Sequence, residues 1–302
     1  MRVKDKEIEI LSPINQLKLF GYESYFKFFI KLYEKKKLPN SILFSGLKGL
    51  GKATFAYHFI NYLLSKNELN KYSINDFSIN ENSSTYKLLL SNVHPNFFSV
   101  NYDDSEKNIS ILKIRDLIKF LNKTSYSKNI KIVLIDNAEN LNLNSSNALL
   151  KSIEEPSHNT FFFIIHNSGS KILETLKSRC TEFKFFLNSK LKKDIFQNLS
   201  YQYNLNLQSE DIINQYFFDT PGNLIKYFSF LLDSDVLPEK NTLECILYLI
   251  DRCMNSKDTE LLNYLSILID KHYNELCYAK SDYVIYYTLS HSKILNQLND
   301  LK

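Results

Sequence analysis

The sequence predicts an α/β fold, a parallel sheet flanked by helices and followed by an all-helical region. Three observations carry this. Two short apolar runs, Ile130–Ile135 (IKIVLI) and Thr160–Ile165 (TFFFII), enclose a segment of helical spacing, Asn144–Pro156. A glycine-rich loop, Gly46–Lys52, lies between another short apolar run, Ile42–Ser45, and a helical one, Thr54–Leu64. Beyond Leu187 the apolar residues recur only at helical spacing. Apolar runs of this length bounded by polar residues suit strands buried on both faces. Alternating strands and helices give a doubly wound sheet, with ligands at the carboxyl ends of its strands.

In chain order, Ile10–Gly21 (ILSPINQLKLFG) leads into Tyr22–Glu34, whose aromatic and apolar residues fall on one helical face. After the Ile42–Ser45 strand, the segment from Gly46 through Gly49 and Gly51 to Lys52 fits GxxxxGK. In that pattern the glycines let backbone N–H groups curl around phosphates and the lysine neutralises them. The helix Thr54–Leu64 follows, with Phe55, Phe59 and Leu63 on one face. One position departs from the pattern. After the lysine a hydroxyl should ligate Mg²⁺, but Ala53 stands there and Thr54 comes one residue late, about 100° around the helix. Ser65–Asn92 is polar and irregular, and His94-Pro95-Asn96 reads as a turn before a strand, Phe97–Asn101. Ile111–Leu121 is strongly amphipathic. Asp136 ends the Ile130–Ile135 strand, and Asn137 comes directly after it. Glu139, two residues on, is expected to project elsewhere. Asn144 or Ser145 can cap the next helix, which buries Ala148, Leu149 and Ile153 and stops at Pro156. Leu173–Cys180 (LETLKSRC) carries a lone arginine, Arg179, before a last strand, Thr181–Leu187. Short helices are expected at Leu191–Tyr203, Gln208–Phe218 and Asn223–Leu232, and Thr242–Lys302 reads as helical throughout.

Composition bounds the function. The chain has 302 residues, enough for two or three domains, and its 44% hydrophobic and 23% charged residues are ordinary for a globular protein. A net charge of +4 permits nucleic-acid contact without requiring it, and Lys35–Lys37 and Lys190–Lys193 read as solvated faces. The four cysteines (Cys180, Cys245, Cys253, Cys277) form no CxxC pair, which argues against a zinc or redox module and for buried, reduced thiols in a cytoplasmic chain. No apolar run reaches the ~18 residues of a membrane span.

Strand, acid, helix, strand and Ser178-Arg179-Cys180, in this order with the phosphate loop upstream, resemble the AAA+ clamp-loader family of bacterial DNA polymerase III. The resemblance is to its delta-prime group above all. It implies an AAA+ P-loop domain over 1–187, a small helical lid over 188–237 and a C-terminal helical collar over 238–302. Leu19, Phe20 and Gly21 match the segment that lines the adenine pocket in such subunits. Gly46, Gly49, Gly51, Lys52, Thr54 and Asp136 would form a nucleotide site that holds ATP or ADP weakly, with Mg²⁺ only when nucleotide is bound and no zinc. Active members carry Asp-Glu where this chain has Asp136-Asn137, and an amide cannot act as general base. They also carry an arginine where Ile225 stands, beside Lys226. The resemblance therefore implies no ATPase activity of the chain alone. Arg179 would be a finger acting on a neighbour's ATP, its guanidinium free of carboxylates within the chain. Partners would be clamp-loader subunits of gamma/tau and delta type and, indirectly, the sliding clamp and primer-template DNA. Two alternatives stay open: an active gamma/tau-type ATPase, and a free-standing P-loop enzyme.

Overall fold

The computed structural model describes residues 10–101, 108–123, 130–157, 159–205, 219–233, 242–255 and 259–300. The chain divides into two units, Leu11–Ile195 and Phe196–Lys302, the latter grouped with Met1–Ile10.

The first unit is built on five strands: β1 (Ser41–Gly46), β2 (Phe97–Val100), β3 (Lys131–Ile135), β4 (Thr160–Asn167) and β5 (Thr181–Lys184). They form one sheet in the order β2-β3-β4-β1-β5, and every pairing is parallel. Strand alternation sends neighbouring side chains to opposite faces. Ile132, Leu134, Phe161, Phe163 and Ile165 face a core shared with α1 (Glu23–Glu34) and α2 (Lys52–Leu64). Val133, Ile135, Phe162 and Ile164 face a second core, which α4 (Ile111–Asn122) and α5 (Leu143–Glu154) cover with Ile114, Leu117, Leu149 and Ile153. Each such side chain contributes about 1.5–3 kcal/mol when fully buried. Covering both faces is what requires the unbroken apolar runs.

Two local expectations are corrected and a third is narrowed. The α5 cap is Asn142, whose side chain accepts from Ser145 N, so Asn144 and Ser145 lie inside the first turn. Ser145 is buried and donates instead to Ile109 O. The stretch read as irregular contains α3 (Ser84–Leu90), too short to show a period. It is held at its start by Glu68, which accepts from Ser83 Oγ, Thr85 Oγ1 and Thr85 N. The buried-thiol expectation holds for Cys245 alone, since Cys180, Cys253 and Cys277 are half-buried.

A four-residue helix α6 (Glu174–Lys177) precedes β5, and α7 (Ser189–Gln202) contributes Phe196 onward to the second unit. That unit also holds α8 (Pro221–Asp233), α9 (Thr242–Asn255), α10 (Thr259–Ala279) and α11 (Val284–Asp300). They share one core around Leu224, Tyr227, Phe228, Leu249, Leu265 and Leu268, and no strand occurs among its described residues. The expected helix at Gln208–Phe218 and the lid–collar border near 237 lie outside the described residues. Among the described residues, no helix is long and apolar enough to cross a membrane.

Candidate functional site

Strands β3, β4 and β1 lie side by side, so their carboxyl ends bring three polar segments together. β1 ends at Gly46, whose register partner on β4 is Asn167, and β3 on the other side of β4 runs into Asp136. The loop after β1 turns through positive φ at Gly46, Gly49 and Gly51. It is anchored by Tyr22, whose hydroxyl donates to Leu50 O at 2.6 Å. Burial raises the Tyr22 phenol far above its usual range, so it stays a donor.

Lys52 opens α2 and is almost wholly buried. Its ammonium donates to Gly46 O (2.8 Å), Leu47 O (2.6 Å) and Asn167 Oδ1 (2.9 Å). Burial lowers its pKa to about 8, while the charges of Glu139 and Asp136 act the other way. Asp136 is pushed up, first by burial and then by Glu139, against a bond from Asn137 N (2.9 Å) and the charges of Lys52 and Lys48.

Glu139 does not project away. Asn137 adopts the left-handed conformation (φ 53°), which Asn tolerates better than most residues, and a 3₁₀ turn follows at Ala138–Asn140. Together they fold Glu139 back toward β4. One carboxylate oxygen accepts from Asn167 Nδ2 (2.6 Å) and the other from Asn167 N (3.1 Å). Asn137 Oδ1 also accepts from Asn167 Nδ2 (2.9 Å). Asn167 is thus the central residue of the cluster, and the sequence reading missed it. Its signal was a polar residue two positions beyond the TFFFII run, where the carboxyl end of a buried strand is expected.

Ala53 presents its methyl to the core under the loop, where a metal-ligating hydroxyl would stand, and Thr54 is half-buried one residue on. Leu19 is a core residue whose amide donates to Phe77 O, and Gly21 N is held by Glu23 Oε1. Ile225 is buried in the helical unit and Lys226 is exposed on the same helix. Among the described residues no cluster of three or more His, Cys, Asp or Glu could hold a metal ion.

Arg179 follows α6. The expectation of a guanidinium free of carboxylates is not met: Nε donates to Glu154 Oε1 at 2.6 Å and Nη1 to Thr175 O at 2.9 Å. The cause is the close approach of the C-terminal end of α5, which presents Glu154. Both side chains are partly exposed, at 32% and 47%. Cys180 beside it packs against the second core, and burial pushes its thiol up to about 12, which marks it as a packing residue.

The family described as DNA polymerase III, delta subunit, matches residues 21–188, more than half of the chain. The chain belongs to that family. The DNA polymerase III subunit delta' of Pseudomonas aeruginosa is 34% identical over 47% of this chain and 42% of its own length. The subunit of the same name from Buchnera aphidicola of Schizaphis graminum is 28% identical over 85% of each chain. The gamma/tau subunit of Mycoplasma genitalium is 30% identical over 57% of this chain and 28% of its own length. The chain thus spans less than half of the first of these relatives and most of the second. Among solved structures, a gamma subunit-related protein of DNA polymerase III from Thermotoga maritima aligns over 87% of this chain and 77% of its own, at 15% identity and a TM-score of 0.37.

Proposed function

We propose that this chain is a delta-prime-type member of a DNA polymerase III clamp loader. In this reading it takes ATP or ADP weakly, does not turn it over, and supplies Arg179 to the ATP held by a neighbouring subunit. Its partners are subunits of gamma/tau and delta type, and through them the sliding clamp and primer-template DNA.

The observation that carries the reading is the chemistry around Lys52. A phosphate fits, because positive-φ glycines open the loop and a buried ammonium stands at its mouth. A hydrolysing Mg²⁺ site fits poorly. Ala53 offers a methyl where the metal needs a hydroxyl, and Asn137 offers an amide where the attacking water needs a base. Glu139 is the nearest substitute, but both of its oxygens are engaged by Asn167.

Arg179 remains suited to act outside the chain. An exposed ion pair contributes only about 0.2–1 kcal/mol, so Glu154 is a partner that a polyanionic phosphate can displace. The second unit also carries an apolar stripe on α9, formed by the exposed Leu243, Leu247, Ile250 and Met254 at helical spacing, which suits a packed helical partner.

The test compares two variants in a reconstituted ring. Arg179→Ala should lower ring ATPase by about 10³-fold or more, the range of an arginine finger. Glu154→Ala, which breaks the same ion pair, should leave ring ATPase at or above the wild-type rate. Equal losses in both variants would make the pair structural and sink the finger role.

A further inference from the structure

We propose that Glu139 and Asn167 form an internal competitor for nucleotide phosphates, and so set how tightly the Gly46–Lys52 loop takes a nucleoside di- or triphosphate. This rests on reading the loop as a phosphate site and is independent of the role of Arg179.

An ammonium has three hydrogens to donate, and the hydrogen bonds of Lys52 account for all three. A phosphate oxygen can reach it only by displacing an acceptor. Two of the three are backbone carbonyls of the loop itself, Gly46 O and Leu47 O. The third, Asn167 Oδ1, is the only one on a side chain, and therefore the one that can swing aside without rebuilding the loop.

Asn167 is not free to swing. Glu139 grips it at two points, the backbone N–H and the side-chain amide, and Asn137 holds the same amide from a second side. Releasing Asn167 Oδ1 from Lys52 means loosening a bidentate carboxylate contact, and hydrogen bonds to charged groups are the strong ones. The turn at Ala138–Asn140 that aims Glu139 here is itself set by Asn137 in its left-handed conformation. The latch is thus encoded in the segment right after β3.

Charge acts in the same direction. Glu139 and Asp136 are the carboxylates that act on buried Lys52. An incoming phosphate meets an ammonium already compensated, and brings its own negative charge close to two carboxylates in a poorly screened site. With Ala53 in place of a metal-ligating hydroxyl, Mg²⁺ is poorly placed to relieve that repulsion. The competition is direct: the loop is closed by the chain's own acid or opened by a phosphate.

The test is calorimetric titration of the full chain with ADP and with ATP, with and without Mg²⁺. Glu139→Gln keeps the side-chain shape and removes the charge, and should tighten ADP binding by about tenfold, the scale of one charge-assisted hydrogen bond. Asn167→Ala should also tighten it, since it frees one ammonium hydrogen. Adding Lys52→Ala to Glu139→Gln should abolish the gain. Unchanged or weaker binding in Glu139→Gln overturns the proposal, as does a gain that survives Lys52→Ala, or no detectable binding in either single variant. If both single variants lose the folded-state circular dichroism of the wild type, the two residues serve folding and the proposal falls. None of these outcomes alters the ring test of Arg179.

Discussion

Two alanine substitutions in the phosphate loop should differ sharply in cost, for a reason visible in the geometry. Gly46 has φ +152°, and a Cβ built there would lie 2.8 Å from the carbonyl oxygen of Phe185 and 3.0 Å from Leu50 Cδ1. Leu50 can rotate away, but the Phe185 backbone cannot, because its N–H donates to Ser45 O at 2.7 Å where β5 runs beside β1. Gly51 has φ +81°, and its Cβ would meet only Tyr22 Cε2, at an ordinary 3.7 Å. Gly51→Ala therefore carries the left-handed backbone penalty alone, about 1–2 kcal/mol. Gly46→Ala carries a backbone penalty and an overpacking cost of about 1–3 kcal/mol, for a total of about 2–5 kcal/mol. At about 2–4 °C per kcal/mol for a unit of this size, Gly51→Ala should lower the melting temperature by only a few degrees and Gly46→Ala by about twice that or more. Thermal unfolding followed by circular dichroism decides it. Equal shifts, or a larger one for Gly51→Ala, would refute the argument that the end of β5 closes over Gly46.

Two further outcomes are expected. His58 is fully buried, with Nε2 at 2.8 Å from Gln16 O and Nδ1 at 2.9 Å from the Tyr72 hydroxyl; since a carbonyl only accepts, Nε2 carries the proton and Nδ1 accepts. Burial lowers its pKa to about 4, so the stability this neutral form gives is complete above about pH 6.5 and is lost as pH falls from there through 4, by about 3 kcal/mol at most; between pH 7.5 and 4.5 the melting temperature of the wild type should fall further than that of His58→Gln, and identical acid sensitivity would exclude His58 as the cause. Leu247 is 66% exposed in the middle of the α9 stripe, so Leu247→Glu should leave the melting temperature of the isolated chain nearly unchanged while reducing its co-elution with partner subunits, and undiminished assembly would remove this face from the proposed interface.

The sheet was legible because its strands are buried on both faces, and such strands leave runs like TFFFII that few other structures produce. The turns of the glycine-rich loop were legible because positive φ at Gly46, Gly49 and Gly51 is a backbone requirement that glycine spacing announces. What stayed hidden depends on turns. Nothing in Asn137-Ala138-Glu139 declares that Asn137 takes positive φ, yet that one dihedral decides whether Glu139 faces solvent or Asn167. Asn167 was hidden because its importance comes from sheet order: only when β4 lies between β1 and β3 does its last residue touch both loops. The Arg179–Glu154 pair joins residues 25 apart through the approach of α5 to α6, which periodicity does not report.

The two cations of functional interest are both engaged within the chain, and burial separates their fates. Lys52 is 4% exposed and its acceptors are two carbonyls and an amide locked from behind by a carboxylate. Each contact broken there leaves a polar group without water, at about 1–3 kcal/mol, so a ligand must replace those contacts almost completely before it can bind. The Arg179 side chain is 32% exposed, and a guanidinium has five N–H donors, of which Glu154 and Thr175 take two. Water can cover whatever Glu154 leaves, and a phosphate with several charges outcompetes one carboxylate at a screened surface. On the proposed reading, the loop around Lys52 holds nucleotide weakly while Arg179 can be released to a neighbouring subunit. For the proposed finger role, a guanidinium already tethered by a weak intramolecular pair has less side-chain entropy to lose on engaging a neighbour's phosphate than one that hangs free.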